Sequence, residues 1–193
     1  MFKELCATLF LLCNPLLNGF TFNYDGNPQD QFVQGIAECT VLNNAVIEPR
    51  YRVVVAISVA QAILESDWGR SRFALEGSNY YGIIETDSTE PHMKSQNSNI
   101  LLKKYKNRCE SVADYIALLN ASSAFVEYRD LRLQQYITDN VDVFLIIETL
   151  KNYAIDPEYT EKLRTITLGL FQKYPDIFKS EEIWQYYNNN KAT

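Results

Sequence analysis

Apolar residues recur with a helical period in several separate stretches of this chain, and one stretch is apolar on nearly every face. Phe32, Val33, Ile36, Ala37 and Val41 share a helical face and predict a first helix, capped by Asp30 and closed at or before Pro49. From Arg52 to Ser66 the run carries Val53, Val54, Val55, Ile57, Val59, Ile63 and Leu64 without a breaker. Its β-branched content would suit a strand, but its length predicts a central buried helix, with Gly69 placed to end it. Between Ser78 and Lys106 the pattern turns polar and turn-rich, with short β-type runs at 80–84 and 100–105, which predicts a small, irregular β-hairpin lobe. Helical spacing returns at Asn107, where Glu110 completes a capping-box pattern and Val112, Tyr115, Ile116 and Leu119 form one face. Further helices are expected over 124–136, 141–152 and 157–174, the last with Asp156 as cap and Pro157 at its first position. The expected fold class is therefore mainly α (α+β): one domain over 20–180, helices around a buried helix with a β excursion, then a frayed tail over 181–193.

Composition changes this picture in few places. A net charge of −6 with no Lys/Arg run argues against an electrostatic grip on nucleic-acid phosphates. Thirteen tyrosines suit a groove lined with amphipathic rings, and equally an ordinary core. The one histidine, His92, is expected in a loop and removes most serine–histidine, cysteine–histidine and histidine–zinc chemistry, so neither a metal nor a cofactor is implied. The first residues, "MFKELCATLFLLCNPLLNG", have a basic start and an apolar centre too short to span a bilayer, which takes about 20 apolar residues. They predict a secretory signal peptide over 1–19, an exported protein acting in the periplasm or outside the cell, and no other membrane segment. Cys39 and Cys109 then remain; they could pair after export, or stay as two buried thiols.

The chemistry gathers where the apolar run ends, in "AQAILESDWGRSRFA". Glu65 stands at the C-terminal end of the predicted buried helix, where desolvation and the helix's negative end both disfavour the carboxylate. A glutamate lifted from about 4.3 towards 6 can still carry a proton and deliver it to a leaving oxygen, which is what cleavage of a glycosidic bond requires. Trp68, Tyr80 and Tyr81 follow closely enough to stack on sugar rings. The competing reading makes Glu65 a structural residue paired with Arg70 or Arg72.

These residues, followed by "NYYGI", resemble the bacterial glucosaminidase domain of peptidoglycan hydrolases, whose pattern runs A-Q-A-x-x-E-S-G-W-G-x-S and then N-x-F-G-I. "LKKYKNRCESVADYIALL" and "LKNYAIDPEYTEKL" resemble two further segments of that family, and the resemblance as a whole spans about Gln31 to Phe178. The resemblance implies a lysozyme-like helical domain with a small β-lobe, a peptidoglycan glycan strand as partner, and an endo-β-N-acetylglucosaminidase cutting after N-acetylglucosamine. It carries the catalytic glutamate to Glu65 and the motif tyrosine to Tyr153, as a residue that helps position the substrate. Asn79, Tyr80 and Tyr81 of "NYYGI", with Trp68, become the sugar-binding candidates. The second acidic residue, from the lobe, falls on Glu90 by counting back from the strand "LKKYKN", with Glu85 as the alternative. Three positions depart from the pattern: Asp67 stands for Gly, Tyr81 for Phe and Ile155 for Thr.

Two other functions fit parts of the sequence. A lytic transglycosylase also works through one glutamate, but no Gly-Leu-Met-Gln-type motif follows Glu65. A non-catalytic glycan-binding module would keep the aromatic residues and leave Glu65 structural. A monomer is expected in each case.

Overall fold

The computed structural model describes residues 26–96 and 98–178, so the expectations for the signal peptide and for the tail over 181–193 lie outside the described residues. Among the described residues, seven α-helices and three short strands make a helical body with a small sheet on one side. Helix α1 (Pro28–Ala45) starts one turn before the expected cap: Asn27, not Asp30, accepts from the backbone N–H groups of Gln29 and Asp30, and Pro28 fills the first turn. Asp30 sits inside that turn and accepts instead from Lys173 Nζ at 2.8 Å and from the Tyr174 hydroxyl, tying the two ends of the domain together. A 3₁₀ turn (Pro49–Tyr51) follows, and the Asn44 side chain holds Val53 extended by bonding both its N–H and its C=O.

Helix α2 (Val55–Ser66) is the buried axis, enclosed without a break from Ala56 to Ile63. It packs against α1 and against α7 (Tyr159–Lys173). A helix with no polar face must be covered on all sides, and these neighbours cover it. It ends at Asp67 rather than at Gly69: Asp67 takes the left-handed cap conformation with φ 51°, and Trp68 and Gly69 continue with φ 59° and 75°. Aspartate tolerates that region better than most residues, which accounts for Asp67 where the resembled pattern has glycine. Ser66 secures the turn, its hydroxyl donating to Ala62 O and accepting from Gly69 N. The short α3 (Arg72–Gly77), capped by Ser71, has no counterpart in the expected elements.

The expected small β-lobe is a three-stranded antiparallel sheet, one strand more than a simple hairpin. Strand β1 (Ile84–Glu85) and strand β2 (His92–Lys94) pair on either side of β3 (Leu101–Lys103), with Ile84 opposite Leu102 and Met93 opposite Leu102. His92 therefore lies in a strand rather than a loop. Pairing cannot begin at Tyr80, because Gly82 has φ 66° and the buried Asn79 side chain bonds the N–H and C=O of Ile83 and the C=O of Lys103.

Helix α4 (Arg108–Ala121) begins as expected, with Asn107 accepting from Glu110 N; the Glu110 carboxylate reaches back to Lys106 N. After a 3₁₀ turn (Ser123–Phe125) come α5 (Val126–Thr138) and α6 (Val143–Glu148), the latter capped by Asp142 and half the expected length. Helix α7 starts two residues later than predicted; Pro157 stays in the preceding turn, where Asp156 accepts from Glu158 N. Cys39 on α1 and Cys109 on α4 form a disulfide across a sequence separation of 70. No helix among the described residues is long and apolar enough to cross a membrane.

Candidate active site

Glu65 lies one residue before the end of α2, with Gly82 of the "NYYGI" loop against it: a β-carbon on residue 82 would come within 3.5 Å of Glu65 Oε2. Neither arginine that could have neutralised it does so. Arg70 pairs with Asp67 at 2.6 Å, and Arg72 donates to Lys94 O at 2.7 Å and lies near Glu76. Glu65 instead has the hydroxyl of Tyr159 as side-chain partner. Burial pushes its carboxyl up to about 6, against the smaller opposing effect of that hydrogen bond. A carboxyl that is half-buried, lacks a cation and meets one neutral donor can hold a proton close to neutral pH, and the arginine-paired reading of Glu65 falls away.

Around the glutamate stands a cluster of tyrosines, each oriented by a named partner. Tyr153 and Tyr159 stack with ring centroids 5.8 Å apart, and the Tyr153 ring also meets Tyr115 and Phe125. The Tyr153 hydroxyl donates to Tyr81 O at 2.9 Å, so this tyrosine clamps the loop that carries Gly82 against Glu65. Burial, then the neighbouring Tyr159 and Glu65, hold the Tyr153 hydroxyl well above its ordinary range, and burial does the same to Tyr159. Both remain neutral hydrogen-bonding groups.

The other expected site residues separate into two sets. Tyr81 and Asn79 are 1% and 2% exposed, so here their side chains serve the core rather than the surface. Tyr81 stacks flat on Tyr115 at 4.1 Å, and its hydroxyl bonds Ser58 Oγ at 2.8 Å, which in turn bonds Thr40; the extra hydroxyl relative to phenylalanine is thus used inside the core. Asn79 locks the loop to β3. Trp68 and Tyr80 are half-buried, both set against the Phe32 ring, and each keeps part of its ring at the surface beside the α2 terminus. Ile155, the third departure, is fully exposed.

Of the two lobe carboxylates, Glu90 is exposed in the turn before β2, and its backbone carbonyl bonds the His92 ring. Glu85 is half-buried on β1, with its carboxylate over the N–H groups of Thr86 and Asp87. Along the chain Glu85 stands three residues after Gly82, the residue set against Glu65, whereas Glu90 stands eight residues after it. Tyr159 and Gln61 are absent from the residues that the sequence singles out. A signal existed for both: Gln61 lies four positions before Glu65 on one helix face, and Tyr159 is the second tyrosine of "YAIDPEY".

With this geometry in view, the glucosaminidase family, described as mannosyl-glycoprotein endo-beta-N-acetylglucosaminidase, matches residues 45–170, well over half of the chain. The chain belongs to the glucosaminidase family. The matched span holds Glu65, Tyr153 and Tyr159 together with the whole lobe. Exo-glucosaminidase LytG of Bacillus subtilis is 27% identical over 148 residues, which cover 72% of this chain and 50% of that protein, so the chain spans about half the length of this curated relative. The catalytic domain of the autolysin Auto from Listeria monocytogenes superposes with a TM-score of 0.59 at 21% identity, over 88% of this chain and 96% of that one. The glycoside hydrolase domain of FlgJ from Salmonella typhimurium does so with a TM-score of 0.57 at 20% identity, over 86% and 99%. These two likenesses establish the fold: a mostly helical glucosaminidase domain with a small antiparallel sheet.

Proposed function

We propose that this glucosaminidase-family protein is an exported peptidoglycan hydrolase that cuts the glycan strand after N-acetylglucosamine, with Glu65 as general acid. The observation that carries the reading is the Glu65 carboxyl itself: half-buried, unpaired with any arginine and raised to about 6. In the reaction, the Glu65 hydrogen passes to the glycosidic oxygen while the bond from that oxygen to the sugar's anomeric carbon breaks, the bonding electrons leaving with the oxygen. The positive charge left on the ring is relieved by the substrate's own N-acetyl oxygen or by water, and one water is consumed per bond cut. Tyr153 keeps the Gly82 loop beside the acid, and the partly exposed Trp68 and Tyr80 offer rings for sugar stacking. Glu85 suits the role of second carboxylate better than Glu90, because it is half-buried on β1 three residues after Gly82, while Glu90 is exposed in the turn before β2. Action outside the cytoplasm agrees with the Cys39–Cys109 disulfide, since such bonds persist in oxidising compartments.

Digestion of purified peptidoglycan followed by mass spectrometry tests the reading. The expected fragments end in a free reducing N-acetylglucosamine. Fragments lighter by one water, ending in an anhydro sugar, would indicate a transglycosylase; firm binding without release of soluble fragments would indicate a binding module. Either result overturns the proposal.

A further inference from the structure

Behind Glu65 a hydrogen-bonded chain runs from Tyr159 into the core. The Tyr159 hydroxyl accepts from Gln61 Nε2 at 2.8 Å, and Gln61 Oε1 accepts from the Tyr115 hydroxyl. Gln61 and Tyr115 are completely enclosed and Tyr159 is 3% exposed, so bulk water does not compete for these bonds. A tyrosine hydroxyl has one proton. With the Gln61 N–H aimed at its oxygen, Tyr159 cannot direct that proton inward, and its other polar partner is the Glu65 carboxyl. Turning the Gln61 amide over would reverse the whole chain: Tyr159 would donate to Gln61 and could no longer donate to Glu65.

Resting on the reading of Glu65 as general acid, we propose that Gln61 and Tyr159 are positioning residues: by fixing the direction of one hydroxyl proton, they decide which Glu65 oxygen carries the acid's hydrogen. The oxygen that accepts from Tyr159 remains an acceptor. The hydrogen is kept on the other oxygen, free to be handed to the glycosidic bond. The titratable groups facing Glu65 are Tyr159 on α7 and Tyr153 on the turn before it, and both stay neutral throughout the working range because they are buried. A shift in the high-pH limb therefore does not come from these tyrosines.

Two substitutions test this, each removing one link. Tyr159→Phe keeps a ring to stack on Tyr153 and deletes the hydroxyl; Gln61→Met keeps the helix and deletes the amide. Each weakens a hydrogen bond that favours the anion, so the Glu65 carboxyl, followed by carboxyl-carbon NMR, should titrate at higher pH in both variants. The high-pH limb of kcat should move upward with it, while kcat falls by about tenfold or more through misplacement of the acid and KM changes little. The double variant should shift no further than Tyr159→Phe, since both act through one hydroxyl. An unmoved Glu65 titration in either variant, or a double variant that shifts by the sum of the two, overturns the proposal, whatever happens to thermal stability. The titration needs no turnover; a wild-type protein that released nothing from peptidoglycan would refute the hydrolase reading, and the same NMR data would still decide the role of the two residues.

Discussion

Glu65→Gln is expected to lower hydrolysis of purified peptidoglycan by about a hundredfold or more, the scale of a lost general acid. The amide has the shape of the carboxylic acid and can still accept from the Tyr159 hydroxyl, so the stacked tyrosines and the Gly82 loop should keep their places. What it lacks is a hydrogen it can give up. Stability should move the other way. The folded-state carboxyl titrates above its unfolded value, so ionisation penalises the folded protein progressively as pH rises through about 6. The glutamine variant escapes that penalty and should unfold at an equal or higher temperature above that pH. Activity and melting temperature measured on one preparation separate this from damage to the fold. A variant that cuts the glycan like wild type, or one that loses activity only in step with its folded fraction, would remove Glu65 from the mechanism.

The second large effect concerns the disulfide. Cys39 and Cys109 join α1 to α4 across 70 residues that include the whole of α2, α3 and the lobe. Closing a loop of that length restricts the unfolded chain by about 4 kcal/mol in the chain-entropy account. Replacing both cysteines by serine should therefore lower the melting temperature by roughly 10 °C for a domain of this size. Reductant should produce the same drop in the wild type and none in the double variant. The site should survive at low temperature, because neither cysteine touches Glu65 or its tyrosines. Identical melting curves with and without reductant would show that the bond carries no stability.

Much of the helical body is legible in the sequence because its signals are long. The face formed by Phe32, Val33, Ile36 and Ala37 and the unbroken run from Val53 to Leu64 each repeat over several turns, and the structure buries them apart from the partly buried Val55 and Leu64; Val41, expected on the first face, is exposed. Signals that depend on one or two residues are weaker. Asn27 and Asp30 are both competent caps three residues apart, and Pro28 decides between them by fitting the first turn. Asp67 and Gly69 are both able to leave the helix, and the chain turns at the first. The lobe was visible only as a change of texture. Its strands are two or three residues long, too short to show a period, so neither β2 nor the burial of Asn79 and Tyr81 could be read from the pattern.

The same distinction runs through the site. Glu65 stands out because a charge at the end of a long apolar run is conspicuous, and the structure adds what spacing could not say, that Arg70 and Arg72 are engaged elsewhere. The preference for Glu85 over Glu90 needed three dimensions, since it rests on Gly82 lying against Glu65 and on the half-burial of Glu85. Tyr159 and Gln61 are joined across 98 positions by one hydrogen bond, a contact that no local window contains.

The central claim is tested most directly by the pH dependence of kcat/KM for wild-type protein on peptidoglycan, which reports the ionisations of the free enzyme. With Glu65 required in its protonated form, the rate should turn down near pH 6 and fall about tenfold per unit above it, and the residual rate of Glu65→Gln should lack that limb. A wild-type rate that stays level from pH 6 well past neutrality would contradict the account.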